Sequence, residues 1–221
     1  MARLRGASTR TLPDLDTRAR LLHVGQELAR AGGLRGITVR GLAQAAGINL
    51  GTFVYHFGTR EAFIAEVIEH LYAPLYARLQ AVAANKGAPL ARVRELVAQL
   101  IDFAAGNAGF VLHVIADAAA GEAGARKFMQ ALASRHPALL LRAIRQAQAA
   151  RLLPRGDSLH MMVFLMMAVA FPFVAATGLL RSGIVPRDFA AAAQRIAADA
   201  ALARQRLDWA LLGLQPRKEK R

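Results

Sequence analysis

Apolar side chains recur along this chain at intervals of three and four residues, and short clusters of Gly, Pro, Asn and Thr separate the runs they form. That period belongs to helices with one face turned to a core; period-two alternation, the mark of a half-buried strand, is hard to find. Leu21, Leu22, Val24 and Leu28 predict a first helix from Asp14 or Asp16 to Ala31, with acids near its start and Gly32 and Gly33 at its end. Thr38 is then a good N-cap, followed by Val39, Leu42, Ala43 and Ala46 at helical spacing, and Gly47 stops that helix. Ile48 plugs the angle, Asn49 caps the next helix, and Phe53 and Phe57, four apart, share its buried face. Gly58 ends it and Thr59 caps the following one. Helix, glycine turn, helix is the form of a helix-turn-helix, whose second helix can enter the DNA major groove.

Beyond Thr59, Ile64, Val67, Ile68, Leu71 and Leu75 predict a long helix reaching Asn85, with Pro74 expected to kink or break it. After the loop NKGAP the spacing predicts helices over Leu90–Ala105, Phe110–Ala119 and Ala125–Arg135. His136-Pro137 opens another that stops near Pro154. Leu159–Leu180 has only His160 and Thr177 as polar side chains, holds four of the six methionines and is split by Pro172; a further helix is predicted over Asp188–Leu212. A helix hydrophobic all round is either core or membrane. Burial in a dimer, through helices near 157–181 and 186–212, explains the isolation of this segment and the Ala-rich helix that follows it, so no membrane partner is expected.

Composition supports an all-α fold. The 221 residues are 55% hydrophobic with few aromatics, enough for one large or two small domains. The absence of cysteine excludes disulfides and thiolate metal sites and is compatible with a reducing cytoplasm; the Arg-rich first twenty residues lack the apolar core of a secretory signal. A cytoplasmic location is therefore expected. The net charge of +14 changes the picture more. Residues 1–60 hold nine Lys/Arg against three acids, and residues 216–221 hold four against one, so most of the excess sits at the two ends. A basic end containing a helix-turn-helix suggests a polyanion partner.

The run from Arg20 to Phe63 resembles the DNA-binding domain of TetR-type transcriptional regulators. The matching positions are Gly33-Leu34, Thr38-Val39-Arg40, Leu42-Ala43, Ala45-Ala46-Gly47, Gly51-Thr52, Tyr55-His56-Phe57 and Arg60-Glu61. The resemblance implies an N-terminal three-helix DNA-binding domain, a C-terminal helical domain for effector binding and dimerisation, and a homodimer on double-stranded operator DNA. It implies DNA contacts at Thr38, Arg40, Asn49, Leu50, Gly51, Thr52, Tyr55, His56 and Arg60, most of them to phosphate. Hydroxyls and helix N-termini suit phosphate, while Arg and Asn can read purine edges. Leu50, Val54 and Gly41 depart from the family pattern, so base choice is expected to lean on DNA shape and on Asn49 and Arg40.

The expected organisation is a basic arm (1–13), the helix-turn-helix domain (14–60), the effector and dimerisation domain (61–213) and a basic tail (214–221). Phe103, Asn107, Phe110, His113, Asp117, Phe128 and Met129 are candidate lining residues of an effector pocket: large apolar groups with a few polar ones. His113 and Asp117, four apart, could also serve as two metal ligands or a proton-transfer pair, but no third ligand is apparent. There is no P-loop, GxSxG elbow or HExxH, and no catalytic residue, metal or cofactor is assigned. These readings point to a regulator, with repression the expected direction, released from a palindromic operator by a small, largely apolar effector. The rivals are a membrane-associated adaptor anchored by 159–180 and a helical enzyme.

Overall fold

The structure is a computed structural model and describes residues 16–215, so the predicted arm at 1–13 and most of the basic tail lie outside the described residues. Eleven α-helices and no strand occur among the described residues. The first four are α1 (Thr17–Gly32), α2 (Val39–Ala46), α3 (Leu50–Phe57) and α4 (Arg60–Ala84). They are followed by α5 (Pro89–Ala119), α6 (Ala123–Leu132), α7 (His136–Ala149), α8 (Ser158–Val169), α9 (Phe171–Ser182), α10 (Arg187–Ala198) and α11 (Ala200–Gly213).

Two cores organise them. The first gathers Leu21, Leu22, Leu34, Ile37, Leu42, Phe53 and Phe57 of the N-terminal helices and loops onto Phe63, Ile64, Val67 and Ile68 of α4. At Gly25 the approach is so close that a Cβ would lie 2.4 Å from the Phe63 ring, which explains a glycine inside α1. This core does not stop at the predicted boundary of residue 60; it also takes in Phe110 and Val114 of α5 and Ala125 of α6. The second core centres on the first half of α5 and packs it against α4, α7, α8, α9 and α11, with Phe173, Leu165 and Leu207 fully enclosed. Helix α4 crosses both cores, and α5 lies at the middle of the larger one.

Pro74, the middle of α5 and the stretch 188–212 show how the sequence expectations meet the structure, and the last of them is corrected. Pro74 sits inside α4 without ending it. Proline deprives the His70 carbonyl of its helical donor, but both residues are exposed, so water can take that bond while buried Tyr72, Leu75 and Leu79 hold the helix. The two helices predicted over 90–105 and 110–119 are the two halves of α5, which meet in a kink at Asn107, whose φ of −136° and ψ of 20° are non-helical. The Asn107 amide Nδ2 donates to the Phe103 carbonyl at 3.0 Å, filling an acceptor that the kink frees. The single helix predicted over 188–212 is two: Asp199 ends α10 and caps α11, its Oδ1 accepting from the N–H groups of Ala201 (2.8 Å) and Leu202 (3.4 Å).

Candidate nucleic-acid interface and internal cavity

The turn between α2 and α3 is built as its residues dictate. Thr38 Oγ1 accepts from the Gly41 N–H at 3.1 Å, capping α2. Gly47 takes the left-handed conformation (φ 65°, ψ 39°), and the N–H groups of Gly47 and Ile48 turn back to the carbonyls of Gln44 and Ala43. Asn49 Oδ1 accepts from both the N–H and the hydroxyl of Thr52, at 2.8 and 3.0 Å, opening α3. Thr59 repeats the device for α4, accepting from the Ala62 N–H. Phe53 and Phe57 turn inward and meet Phe63, with ring centroids 5.5 and 4.9 Å away, which fixes the rotation of α3. The opposite face is therefore free. Leu50, Val54 and Tyr55 are exposed on it, Tyr55 to 85%.

Of the nine residues predicted to meet DNA, Thr38, Arg40, Asn49, Leu50, Gly51 and Tyr55 are exposed, and Thr52 and His56 are half-buried beside them. Arg60 is different. Its Nε donates to the Ile37 carbonyl (2.6 Å), its Nη2 to the Leu34 carbonyl (2.8 Å), and its Nη1 reaches Glu122 Oε1 at 3.2 Å. The expectation that Arg60 holds phosphate is corrected: its fork is occupied by the α1–α2 loop and by Glu122, whose side chain is 3% exposed. The acceptor of Asn49 is likewise used in capping, which leaves its NH₂ as the group available outward.

Asp117 and His113 lie away from the cavity at the kink of α5: both face the loop after α1. Asp117 Oδ2 accepts from the N–H groups of Leu34 (2.7 Å) and Arg35 (3.4 Å). His113 Nε2 lies 2.6 Å from Arg181 Nη1, so the imidazole nitrogen is the acceptor and its pKa is lowered, first by burial and then by the Arg181 charge, with Asp117 opposing. Arg181 also reaches toward the carbonyls of Arg30 and Ala31 at the end of α1. Gly33, at φ 81°, leaves the space these side chains need: a Cβ there would lie 2.9 Å from His113 Nδ1. Nothing along the chain signals this clasp, because Asp117 is 83 residues from Leu34 and Glu122 is 62 from Arg60.

At the kink of α5 the two halves of that helix, with α4, α6, the start of α7 and α8, form a half-open cavity of about 230 Å³. Of the predicted lining residues, Phe103, Phe110, Phe128 and Met129 border it; Asn107 does not, its side chain being turned to the backbone of its own helix. Its two polar lining residues, Tyr72 and His136, escaped the sequence reading. Tyr72 was hidden in the apolar stripe of α4, and His136 in a helix-opening His-Pro pair. Tyr72 Oη lies 3.0 Å from His136 Nδ1. Burial pushes the Tyr72 hydroxyl up to about 12 and the His136 imidazole down to about 4, so both are neutral near pH 7.

A second free surface lies on the last four helices. Leu159, Val163, Met167 and Phe171 follow each other at four-residue steps, flanked by exposed Phe164, Leu179, Phe189 and Trp209, and α10 has no buried residue in the single chain. By length and composition α5 could cross a bilayer, as could α8 and α9 taken together; α5 is the core helix of the larger bundle, and α8 and α9 are bent by 43° at Ala170, just before Pro172.

The described residues thus bring together a helix-turn-helix with a free outer face and a helical bundle that holds a half-open apolar cavity. Residues 21–67 match the family model described as bacterial regulatory proteins, tetR family. The HTH-type transcriptional repressor KstR2 of Mycobacterium tuberculosis is 32% identical over 79 residues, 36% of this chain and 40% of that protein; KstR2 of Rhodococcus jostii is 32% identical over 68 residues, 31% of this chain and 33% of that one. The match thus spans less than half the length of these curated relatives. Among solved structures, the TetR family regulator PfmR from Thermus thermophilus aligns with a TM-score of 0.65 at 18% identity, covering 89% of this chain and all of that one. Reduced NemR from E. coli aligns at 0.62 and 21%, covering 91% and 100%. Residues 21–67 are thus similar to the tetR family model, and the fold as a whole is shared with these solved structures.

Proposed function

We propose that this protein is a homodimeric transcriptional repressor that grips a palindromic operator with two copies of α3 and lets go when a small, largely apolar effector fills the cavity at the α5 kink. Residues 14–60 are the reading head, 61–213 the sensing and pairing region, and the operator places its work in the cytoplasm. The observation that carries the reading is the pairing of an exposed α3 face with a buried Phe53–Phe57–Phe63 anchor, on a domain held to the cavity-forming helices by Asp117 and Glu122. KstR2, named a repressor, is similar over this region and supports the direction of regulation.

The exposed apolar stripe from Leu159 to Phe171, with Phe164 and Trp209 beside it, supports pairing of two copies through α8–α11. A two-fold axis there would set two α3 helices about one DNA turn or a multiple apart. Effector binding would act by favouring a dimer whose spacing no longer fits, limited by its differential affinity for the two states. An electrophoretic mobility-shift assay on the DNA upstream of its own gene tests the reading. Wild type should retard that fragment, and Thr52→Ala with Tyr55→Ala should not, while remaining dimeric; equal retardation by the double variant would overturn the assignment of α3.

A further inference from the structure

We propose that the cavity selects an uncharged, mainly hydrocarbon molecule carrying one hydrogen-bond acceptor, a carbonyl, ether or hydroxyl oxygen, which the Tyr72–His136 pair holds. The inference rests on the effector reading above and gives that effector a chemical class.

Among the described residues no Lys, Arg, Asp or Glu lines the cavity. Its polar side chains are Tyr72 and His136, set against a wall of Phe, Leu, Ile, Val, Ala and Met. An ion placed here would lose its water without gaining a counter-charge, the costliest kind of burial. The nearest cation is not available to help. Arg135 stacks over Tyr72, Tyr76 and Phe128, with its guanidinium carbon 5.3 to 5.9 Å from the ring centres, and its Nη1 is paired with Glu69 at 2.6 Å. It is not a lining residue.

The hydrogen-bond roles within the pair follow from geometry. The backbone N–H of His136 lies 3.4 Å from Tyr72 Oη, where that oxygen can only accept. Directing the hydroxyl proton to His136 Nδ1 at 3.0 Å, with the imidazole proton on Nε2, leaves one donor unused, whereas the opposite tautomer would leave both the Tyr72 O–H and the Nε2 lone pair unpaired, so the first arrangement is assigned. Among the described residues His136 makes its hydrogen bonds through Nδ1 and its backbone N–H, with none at Nε2. A neutral side chain that lines an apolar cavity and keeps one unused N–H is a recognition point for an acceptor atom, with the hydrocarbon remainder of the ligand against the aromatic and aliphatic wall.

The test uses the full-length protein and four chain-matched probes: 2-decanone, 1-decanol, decanoate and decylammonium, titrated calorimetrically at pH 7.5. The ketone and alcohol should bind at least tenfold more tightly than either ion. His136→Phe and Tyr72→Phe should each weaken the ketone roughly five- to tenfold, the loss expected of one hydrogen bond. Because either variant could also disturb packing, the infrared carbonyl stretch of the bound ketone is read in the wild type, where it should shift to the lower frequency of a hydrogen-bonded carbonyl. Decanoate or decylammonium binding as tightly as the ketone overturns the selection for neutral ligands. A bound ketone with an unshifted carbonyl overturns the role of the pair. Failure of all four probes to bind overturns the effector cavity itself, and the inference with it. Ketone binding with a shifted carbonyl but no release of operator DNA supports the ligand chemistry and overturns only the release mechanism.

Discussion

Asp117 Oδ2 accepts the Leu34 N–H at 2.7 Å, and in doing so ties the C-terminal half of α5 to the loop that leads into the helix-turn-helix. Leu34 is fully buried, so its N–H has no water to turn to. The carboxylate therefore replaces solvent for a backbone group 83 positions away in sequence. Because Phe110 and Val114, on the same half-helix, line the cavity, a shift of α5 there reaches the reading head through this bond.

Asp117→Ala should lower the unfolding free energy by about 2 kcal/mol, the cost of leaving a buried donor unpaired. Urea denaturation followed by circular dichroism measures it. A loss below a few tenths would mean the Leu34 N–H finds another partner.

Arg60→Ala should behave as a structural lesion rather than as the loss of a phosphate contact. Removing the guanidinium takes the counter-charge from Glu122, 3% exposed, and the donor from the Ile37 carbonyl, while the Leu34 carbonyl keeps the Ile37 N–H and Glu122 Oε2 keeps the Ala125 N–H. A stability loss of about 3 kcal/mol is expected from breaking such a buried pair on one side. The slope of log affinity for DNA against log salt should stay as in the wild type. Arg40→Ala, on the exposed face, should instead reduce that slope by about one while leaving stability unchanged.

Asn49→Ala should destabilise by about 1 kcal/mol, because it removes the cap from the Thr52 N–H. Asn49→Asp keeps the acceptor and the cap but removes the outward NH₂ and adds negative charge facing DNA. Thermal unfolding should separate the first variant from wild type, and mobility shifts the second. Equal DNA affinity of wild type and Asn49→Asp would remove Asn49 from the reading face.

Stability should fall with pH between about 6.5 and about 4. His136 has its pKa lowered to about 4 by burial, so in that window the unfolded chain binds a proton that the folded chain refuses. The contribution is complete above about 6.5 and is lost as pH drops toward 4, amounting to about 3 kcal/mol at most. His113, also lowered, adds in the same direction. Chemical denaturation at several pH values should show a steeper slope in wild type than in His136→Phe; parallel curves would place the imidazole in water.

Phe164→Glu with Met167→Glu puts two charges on the exposed stripe of α8 without touching either core. Light scattering should show the mass of a single chain where wild type shows two, and operator binding should weaken with it. A variant that still runs as a pair would move the interface elsewhere.

Local rules made the reading head visible in the chain itself. Thr38, Asn49 and Thr59 are capping residues, Gly47 is a turn residue with left-handed backbone, and Phe53 and Phe57 share a face; each acts within four positions of itself, so spacing alone placed α2, α3 and the start of α4. The same reasoning failed where tertiary packing outweighed a local signal. Pro74 promised a kink or a break, but α4 runs on through it with buried Tyr72, Leu75 and Leu79 around it.

The clasp and the cavity depended on distance in space. Asp117 read as a pocket candidate, Arg60 as a DNA ligand and Glu122 as nothing in particular until the fold set Asp117 against Leu34, and Arg60 against Ile37, Leu34 and Glu122. Tyr72 and His136, 64 positions apart, became a neutral polar pair only when α4 and the start of α7 met beside the α5 kink. The helical period, the caps and the family pattern of residues 20–63 were legible along the chain, because neighbours on one helix set them. Which charges hold the domain in place, and which polar groups face the cavity, emerged only from the packed molecule, because a hydrogen bond between distant residues leaves no trace in their spacing.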